Sequence, residues 1–230
     1  MSRPESRPLR AVIFDMDGVL FDSEKLYIDC CVEAADRLGM KNIVETCYRC
    51  IGVTVPVTLQ ILIDTYGDRA LVDRFREIAG ALFRNKYRAG QLAMKPGVRE
   101  LLEYLKNSGL RTAVASSTRT DIVEKELSDA GILPFFDRIV GGDQVSRSKP
   151  NPDIFLRAAE VLDTAPEDCL VIEDSYNGIR AARAAGMRAF MVPDLLPPDE
   201  EMRALADRIL PSLLQVLESL RAENLTLQQD

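Results

Sequence analysis

Short apolar runs alternate along this chain with segments of helical periodicity. The runs span residues 11–14, 112–115, 138–140, 170–172 and 189–192. Strands separated by helices favour a parallel sheet, because each parallel connection needs a crossover of a dozen or more residues. The chain is therefore predicted to form an α/β fold with a doubly wound parallel sheet. Thr118 or Thr120 is expected to cap one of the helices, and Ser175 another.

One connection is much longer than the others. Between the first two runs, residues 22–92 are helical in pattern without a convincing strand, and this length far exceeds an ordinary crossover. We interpret the segment as an inserted, all-helical domain. The predicted organisation is a core of residues 1–21 and 94–230, with a helical cap at 22–93 that acts as a movable lid.

Charge and hydropathy restrict the partners of the chain. The formal net charge is −7, and no basic tract stands out, so we expect neither nucleic acid nor an anionic membrane as a partner. The N-terminal segment lacks a hydrophobic signal region, and no apolar stretch approaches the roughly 18 residues that span a bilayer. We therefore expect a cytoplasmic protein, and we expect it to be a monomer.

Cysteine and histidine usage excludes several kinds of site. The five cysteines show no disulfide-framework spacing, which fits a reducing compartment. Cys47 and Cys50 have the spacing of a redox or zinc motif, but no second pair accompanies them, so we interpret them as structural. The chain has no histidine. It therefore cannot be a serine–histidine hydrolase, a phosphohistidine phosphatase or a histidine-ligated zinc hydrolase.

Polar side chains follow four of the predicted strands, where ligands of open α/β sheets bind. They are Asp15 and Asp17, then Ser116 and Ser117, then Lys149, and finally Glu173 and Asp174. Each group has a simpler structural explanation: a solvated turn, a helix cap, a surface lysine and acids at a helix N-terminus. Their conjunction at one edge of the sheet favours a shared site. Asp15 and Asp17 point to the same side because the strand period is two.

The combination suits phosphoryl transfer. Ser116, the amide of Ser117 and Lys149 supply donors and positive charge for a phosphate. Asp15 is then the predicted nucleophile, and Asp17 the acid and base that protonates the leaving oxygen and activates water.

Oxygen ligands at a chain turn suit a hard ion such as Mg²⁺. We expect the metal ligands to be Asp15, Asp174 and the main-chain carbonyl of Asp17, with Glu173 adjusting the site. Gly18 permits a tight turn, or lets a substrate come close to the main chain.

These motifs resemble the haloacid dehalogenase superfamily, and the match extends from about residue 10 to 210. They are the segment from Asp15 to Leu20, then Ser116, Lys149 and Glu173–Asp174, in that order. The chain looks most similar to the branch of β-phosphoglucomutases and sugar-phosphate phosphatases. The resemblance implies a magnesium-dependent phosphotransferase with a Rossmann-like core and a helical cap, acting on a small phosphorylated metabolite through an aspartyl phosphate.

The same resemblance leaves two reactions open. A histidine, a lysine and an arginine that β-phosphoglucomutases carry in the cap correspond here to Tyr27, Ile51 and Val55. A mutase must retain a bisphosphate intermediate, so the loss of these groups should cost a mutase more than it costs a phosphatase. We therefore favour a phosphatase and keep the phosphosugar mutase as the alternative. The candidates for substrate selection in the cap are Arg49, Gly52 and Thr54, with Arg84 and Lys86 as further possibilities.

A third interpretation belongs to another class of protein. Asp, Ser and Lys at sheet ends also describe a phospho-accepting signalling module. Such receivers are about half as long and carry the acceptor after an internal strand, which makes this the distant alternative.

Overall fold

The computed structural model of the chain describes residues 8–51, 55–88 and 92–227. The chain divides into two compact units, one within Met1–Leu20 and Met94–Asp230 and the other within Phe21–Ala93. Among the described helices, none is both long and apolar enough to cross a membrane.

The first unit contains a parallel sheet of six strands in its described part. They are β1 (Ala11–Phe14), β2 (Arg111–Ala115), β3 (Arg138–Val140), β4 (Cys169–Glu173), β5 (Arg188–Met191) and β6 (Arg208–Ile209). Their spatial order is β3-β2-β1-β4-β5-β6. The predicted α/β class is confirmed, and β6 is an addition, since two residues are too few to show a period.

Helices cover this sheet. They are α5 (Val98–Asn107), α6 (Thr120–Asp129), α7 (Asp153–Val161), α8 (Tyr176–Ala184), α9 (Glu200–Leu205) and α10 (Leu213–Leu227). Alternate strand residues such as Ile13 and Val171 share one buried cluster with Phe155 of α7 and Ile179 of α8. Both faces of a parallel sheet are normally covered in this way, which explains why β1 is apolar at every position.

The second unit is helical in its described part. It contains α1 (Ser23–Leu38), α2 (Ile43–Cys50), α3 (Val55–Tyr66) and α4 (Arg69–Arg88). Its core is formed by small and apolar side chains, including Cys31, Leu62 and Phe75. Gly39 ends α1 with a φ of 68°, a left-handed conformation that favours glycine.

Strand register places the candidate residues at one edge of the sheet. Phe14 pairs with Val114 on one side and with Ile172 on the other. The segments that follow β1, β2 and β4 therefore leave the sheet at the same level. β1 lies between the other two, at the position where the strand order reverses and where ligands of such folds bind.

Candidate active site

The turn after β1 is held against β4. The amide of Asp15 donates to the carbonyl of Ile172 at 3.0 Å. Asp15 is buried, with 6% of its surface exposed, whereas Asp17 is half-buried. The two predicted catalytic acids therefore lie at one edge of the sheet but differ in their access to solvent.

Gly18 makes room for a third carboxylate. Its φ is 79°, and a Cβ built on it would lie 2.4 Å from Oδ2 of Asp174. No side chain can occupy that position while the Asp174 carboxylate stays there. The space beside Gly18 is thus occupied by a carboxylate of the protein itself, whereas the sequence suggested the approach of a substrate.

Lys149 joins the strand ends through its ammonium group. Nζ donates to Oδ1 of Asp15 at 2.5 Å and to Oε1 of Glu173 at 2.8 Å. The same nitrogen lies 4.9 Å from the centre of the Phe155 ring. Lys149 is only 8% exposed, so it is not the solvated surface lysine of the simpler interpretation. A buried ammonium needs such partners, because an unpaired one is very costly.

Burial and charge oppose each other in this cluster. For Asp15 the largest influence is burial, which raises the pKa; the Lys149 ammonium lowers it, while Glu173 and Asp17 raise it, and the net shift is upward. Burial lowers the pKa of Lys149, but Asp15 and Glu173 outweigh this effect and raise it overall. Lys149 therefore stays charged, and the repulsion between carboxylates favours a further cation at the site.

Glu173 is held by the start of α8. Its Oε2 accepts from the amide of Ser175 at 2.6 Å. The Ser175 hydroxyl in turn accepts from the amide of Gly178 at 3.1 Å, which confirms the predicted cap. A Cβ on Gly178 would lie 1.7 Å from Oε1 of Glu173. Glycine inside a helix costs about 1 kcal/mol relative to alanine, and that cost was the sequence signal that could have drawn attention to Gly178.

Ser116 and Ser117 follow β2. Ser116 is fully buried, and its Oγ accepts from the amide of Thr118 at 3.0 Å. Ser117 is exposed. A Cβ on Gly142, in the segment after β3, would lie 2.4 Å from the Ser117 carbonyl oxygen, so the two segments are closely packed.

Thr118 and Thr120 do not have the predicted capping role. Arg119 occupies the N-cap position of α6 and makes no capping bond with its side chain. Both hydroxyls have other acceptors: Thr120 bonds Asp143, and Thr118 donates to Oδ2 of Asp17 at 3.2 Å. In the sequence, Thr118 is a candidate cap and a member of the hydroxyl cluster that follows the second strand. Its contact with Asp17 connects residues 101 positions apart.

Three acidic groups could hold a metal ion. Ligand oxygens of Asp15, Glu173 and Asp174 lie within 4.8 Å of one another, and all three residues are buried. Buried carboxylate oxygens suit a hard divalent cation. The Asp17 carboxylate is not one of these three groups. A ligand role for the Asp17 main-chain carbonyl stays a prediction.

The helical unit contains the candidates for substrate selection. Arg49 is exposed on α2, and its Nη1 donates to the hydroxyl of Thr65 at 3.4 Å. Gly52 and Thr54 lie outside the described residues. Lys86 forms an ion pair with Glu33 at 3.2 Å. Arg49 and Lys86 thus have partners within their own unit.

Comparison with known proteins identifies the family. The family model described as haloacid dehalogenase-like hydrolase matches residues 12–192, which include every predicted residue of the core site. The chain belongs to the haloacid dehalogenase-like hydrolases. It is therefore an enzyme of that family, and the signalling-module alternative is dropped.

Relatives of this haloacid dehalogenase-like hydrolase include named phosphatases. It is 35% identical over 181 residues to the phosphorylated carbohydrates phosphatase of Thermotoga maritima, covering 78% of this chain and 82% of the relative. It is 31% identical to hexitol phosphatase B of Escherichia coli, covering 94% and 97% of the two chains. The structure of CbbY from Rhodobacter sphaeroides in complex with phosphate is 30% identical, with a TM-score of 0.70, and the match covers 89% of this chain and 95% of that one.

Proposed function

We propose that this chain is a magnesium-dependent hydrolase of a small phosphomonoester, of the sugar-phosphate class, that works through a phosphorylated Asp15. The observation that carries the proposal is the Lys149 ammonium held 2.5 Å from Asp15 at the end of β1. It places a carboxylate nucleophile next to a fixed positive charge that attracts phosphate. The named phosphatases among the relatives support the same reaction.

The two acids after β1 have separate tasks. Asp15 attacks phosphorus through a carboxylate oxygen, and the bond from phosphorus to the leaving oxygen breaks as Asp17 donates a proton to that oxygen. Water then attacks phosphorus in the phosphorylated Asp15 and gives its proton to Asp17. The bond from phosphorus to the Asp15 oxygen breaks and inorganic phosphate leaves, which restores both residues. The Thr118 hydroxyl, 3.2 Å from Asp17, keeps that carboxyl group oriented.

Donors on β2 and Lys149 hold the phosphoryl oxygens. The Ser116 oxygen accepts from the Thr118 amide, and this bond leaves the hydroxyl proton of Ser116 available for a phosphoryl oxygen. The amide of Ser117 is a second donor in the same segment. Lys149 adds a charge that burial makes effective.

Mg²⁺ would be held by Asp15, Asp174 and the carbonyl of Asp17, with Glu173 beside them. Bound there, it would offset the repulsion between the phosphate and the carboxylates. The buried oxygen cluster fits such an ion.

We further propose that the helical unit of residues 22–93 is the lid that selects the substrate, through Arg49, Gly52 and Thr54. Hydrolysis is preferred to a mutase reaction because the three cap groups of β-phosphoglucomutases are replaced here by Tyr27, Ile51 and Val55. The position of Val55 is that of the arginine that grips the non-reacting phosphate in those mutases.

Two variants test the chemistry. Asp15→Asn is expected to abolish turnover of p-nitrophenyl phosphate, and retained activity would exclude Asp15 as nucleophile. Asp17→Asn is expected to lower turnover about 10²–10⁴-fold and to accumulate an acid-stable phosphoprotein, which is measured by mass spectrometry.

A separate assay distinguishes the two reactions. The enzyme is incubated with β-glucose 1-phosphate and a trace of the corresponding intermediate, β-glucose 1,6-bisphosphate. Release of inorganic phosphate is expected, whereas glucose 6-phosphate without free phosphate would establish the mutase instead. A panel of phosphomonoesters ranked by kcat/KM then identifies the substrate class.

A further inference from the structure

The segment that follows β3 is bonded to the segment that follows β2. The first is residues 141–144, here called the bracing segment, and the second is residues 116–120, here called the donor segment. The amide of Gly142 donates to the carbonyl of Thr118 at 2.9 Å. The donor segment contains both serines of the proposed phosphate site, so a contact that fixes its main chain also fixes those serines.

Asp143 of the bracing segment supplies the cap that α6 lacks. The amides at the start of a helix are normally satisfied by the side chain of the N-cap residue, but Arg119 makes no such bond. Oδ1 of Asp143 instead accepts from the Thr120 amide at 2.7 Å and from the Thr120 hydroxyl at 2.8 Å. Nε2 of Gln144 donates to the same hydroxyl at 2.9 Å. A carboxylate 23 residues away in the chain therefore holds the end of the donor segment.

Gly142 packs against the middle of the donor segment. A Cβ on Gly142 would lie 2.4 Å from the carbonyl oxygen of Ser117, a main-chain atom that cannot rotate away as a side chain does. That carbonyl shares one planar peptide unit with the amide of Thr118, and the amide donates to Oγ of Ser116 at 3.0 Å. Gly142 thus touches the peptide unit that orients the Ser116 hydroxyl.

We propose that Asp143 and Gly142 are positioning residues for phosphate binding, which hold the donor segment in the conformation that receives the phosphoryl oxygens. This inference rests on the proposed function, which assigns the Ser116 hydroxyl and the Ser117 amide to those oxygens. Both positioning residues act through the main chain of the donor segment. Donors that are fixed before the phosphate arrives need no reorganisation when it binds, which makes them more effective.

Asp137 offers a matched control. Its Oδ2 accepts from the amide of Thr112 at 2.8 Å. Asp137 and Asp143 are both exposed, and each accepts from a main-chain amide of the chain that forms or follows β2. Thr112 lies near the start of β2, however, whereas the donor segment follows its end. Removal of the Asp137 carboxylate therefore removes a similar bond at the opposite end of the strand.

The variants Asp143→Ala, Asp143→Asn and Asp137→Ala are compared with wild type as full-length chains in the presence of Mg²⁺. The measurements are KM and kcat for p-nitrophenyl phosphate and the inhibition constant of inorganic phosphate. In Asp143→Ala, KM and the inhibition constant are both expected to rise about tenfold. Asn keeps an acceptor oxygen, so Asp143→Asn is expected to stay within about threefold of wild type. Asp137→Ala is expected to keep the wild-type constants.

Two outcomes would overturn the inference alone: an active wild type whose inhibition constant is unchanged in Asp143→Ala, or an equal rise in Asp137→Ala. A wild type that neither hydrolyses phosphomonoesters nor binds inorganic phosphate would overturn the proposed function and this inference with it. A further measurement needs no variant to fold. In wild type, the Thr120 amide is expected to exchange its hydrogen slowly in NMR experiments, and exchange as fast as in an unfolded chain would contradict the bond to Asp143.

Discussion

A methyl group on Gly178 offers a sharp test of how the site is built. In Gly178→Ala the new Cβ would lie 1.7 Å from Oε1 and 1.9 Å from Cδ of Glu173, far inside van der Waals contact. Oε1 is the atom that accepts from Lys149 at 2.8 Å. The Glu173 carboxylate must therefore move and release the lysine.

The magnitude follows from two opposing effects. Replacing glycine by alanine within a helix stabilises it by about 1 kcal/mol. Breaking a buried ion pair costs about 3–5 kcal/mol, and here the Glu173 carboxylate is the group that loses its ammonium partner, since Lys149 keeps its bond to Asp15. The free energy of unfolding is thus expected to fall by about 2–4 kcal/mol, and hydrolysis to fall with it because Glu173 no longer helps to fix the Lys149 ammonium.

Urea unfolding followed by circular dichroism measures the stability, and p-nitrophenyl phosphate measures the activity. Gly80→Ala in α4 is the matched control, since its Cβ would meet Nη1 of Arg84 at 3.2 Å, the far end of a flexible side chain. The control is expected to keep its activity and to gain up to about 1 kcal/mol. If Gly178→Ala equalled the control in both measurements, the packing of Glu173 under Gly178 would be refuted.

Three further predictions concern the unit that contains the sheet. Burial, assisted by Asp17, raises the pKa of Glu126 from 4.5 to about 7, so its contribution to stability is complete below pH 4.5 and is lost as the pH rises through 7. The free energy of unfolding of wild type should therefore fall between pH 5 and 8, and in Glu126→Gln this fall should be smaller by about 1–3 kcal/mol, as measured by urea titration. Glu124 is exposed, and Glu124→Gln should follow wild type. Thr118→Val should lower kcat about tenfold with little change in KM, and an unchanged kcat would contradict a positioning role towards Asp17. A metal chelator should abolish hydrolysis, and added Mg²⁺ should restore it. Full activity in the presence of the chelator would refute the metal requirement.

The sequence predicted the strands, and it brought the candidate site residues to notice, because both signals are encoded locally. Five of the six strands are short apolar runs long enough to show a pattern, and Asp15 and Asp17 follow the first of them at the strand period. The Ser175 cap was predictable for the same reason, since a cap is formed within a few residues of chain.

Contacts between distant parts of the chain were decided by the tertiary structure. Lys149 lies 134 residues from Asp15, and Thr118 lies 101 residues from Asp17. The burial of a side chain and its hydrogen-bond partners depend on which helices and strands pack together. Local patterns in a single sequence do not show that packing. The candidate residues of the site could therefore be named from the sequence, whereas their hydrogen-bond partners were decided by the packing of the sheet and helices.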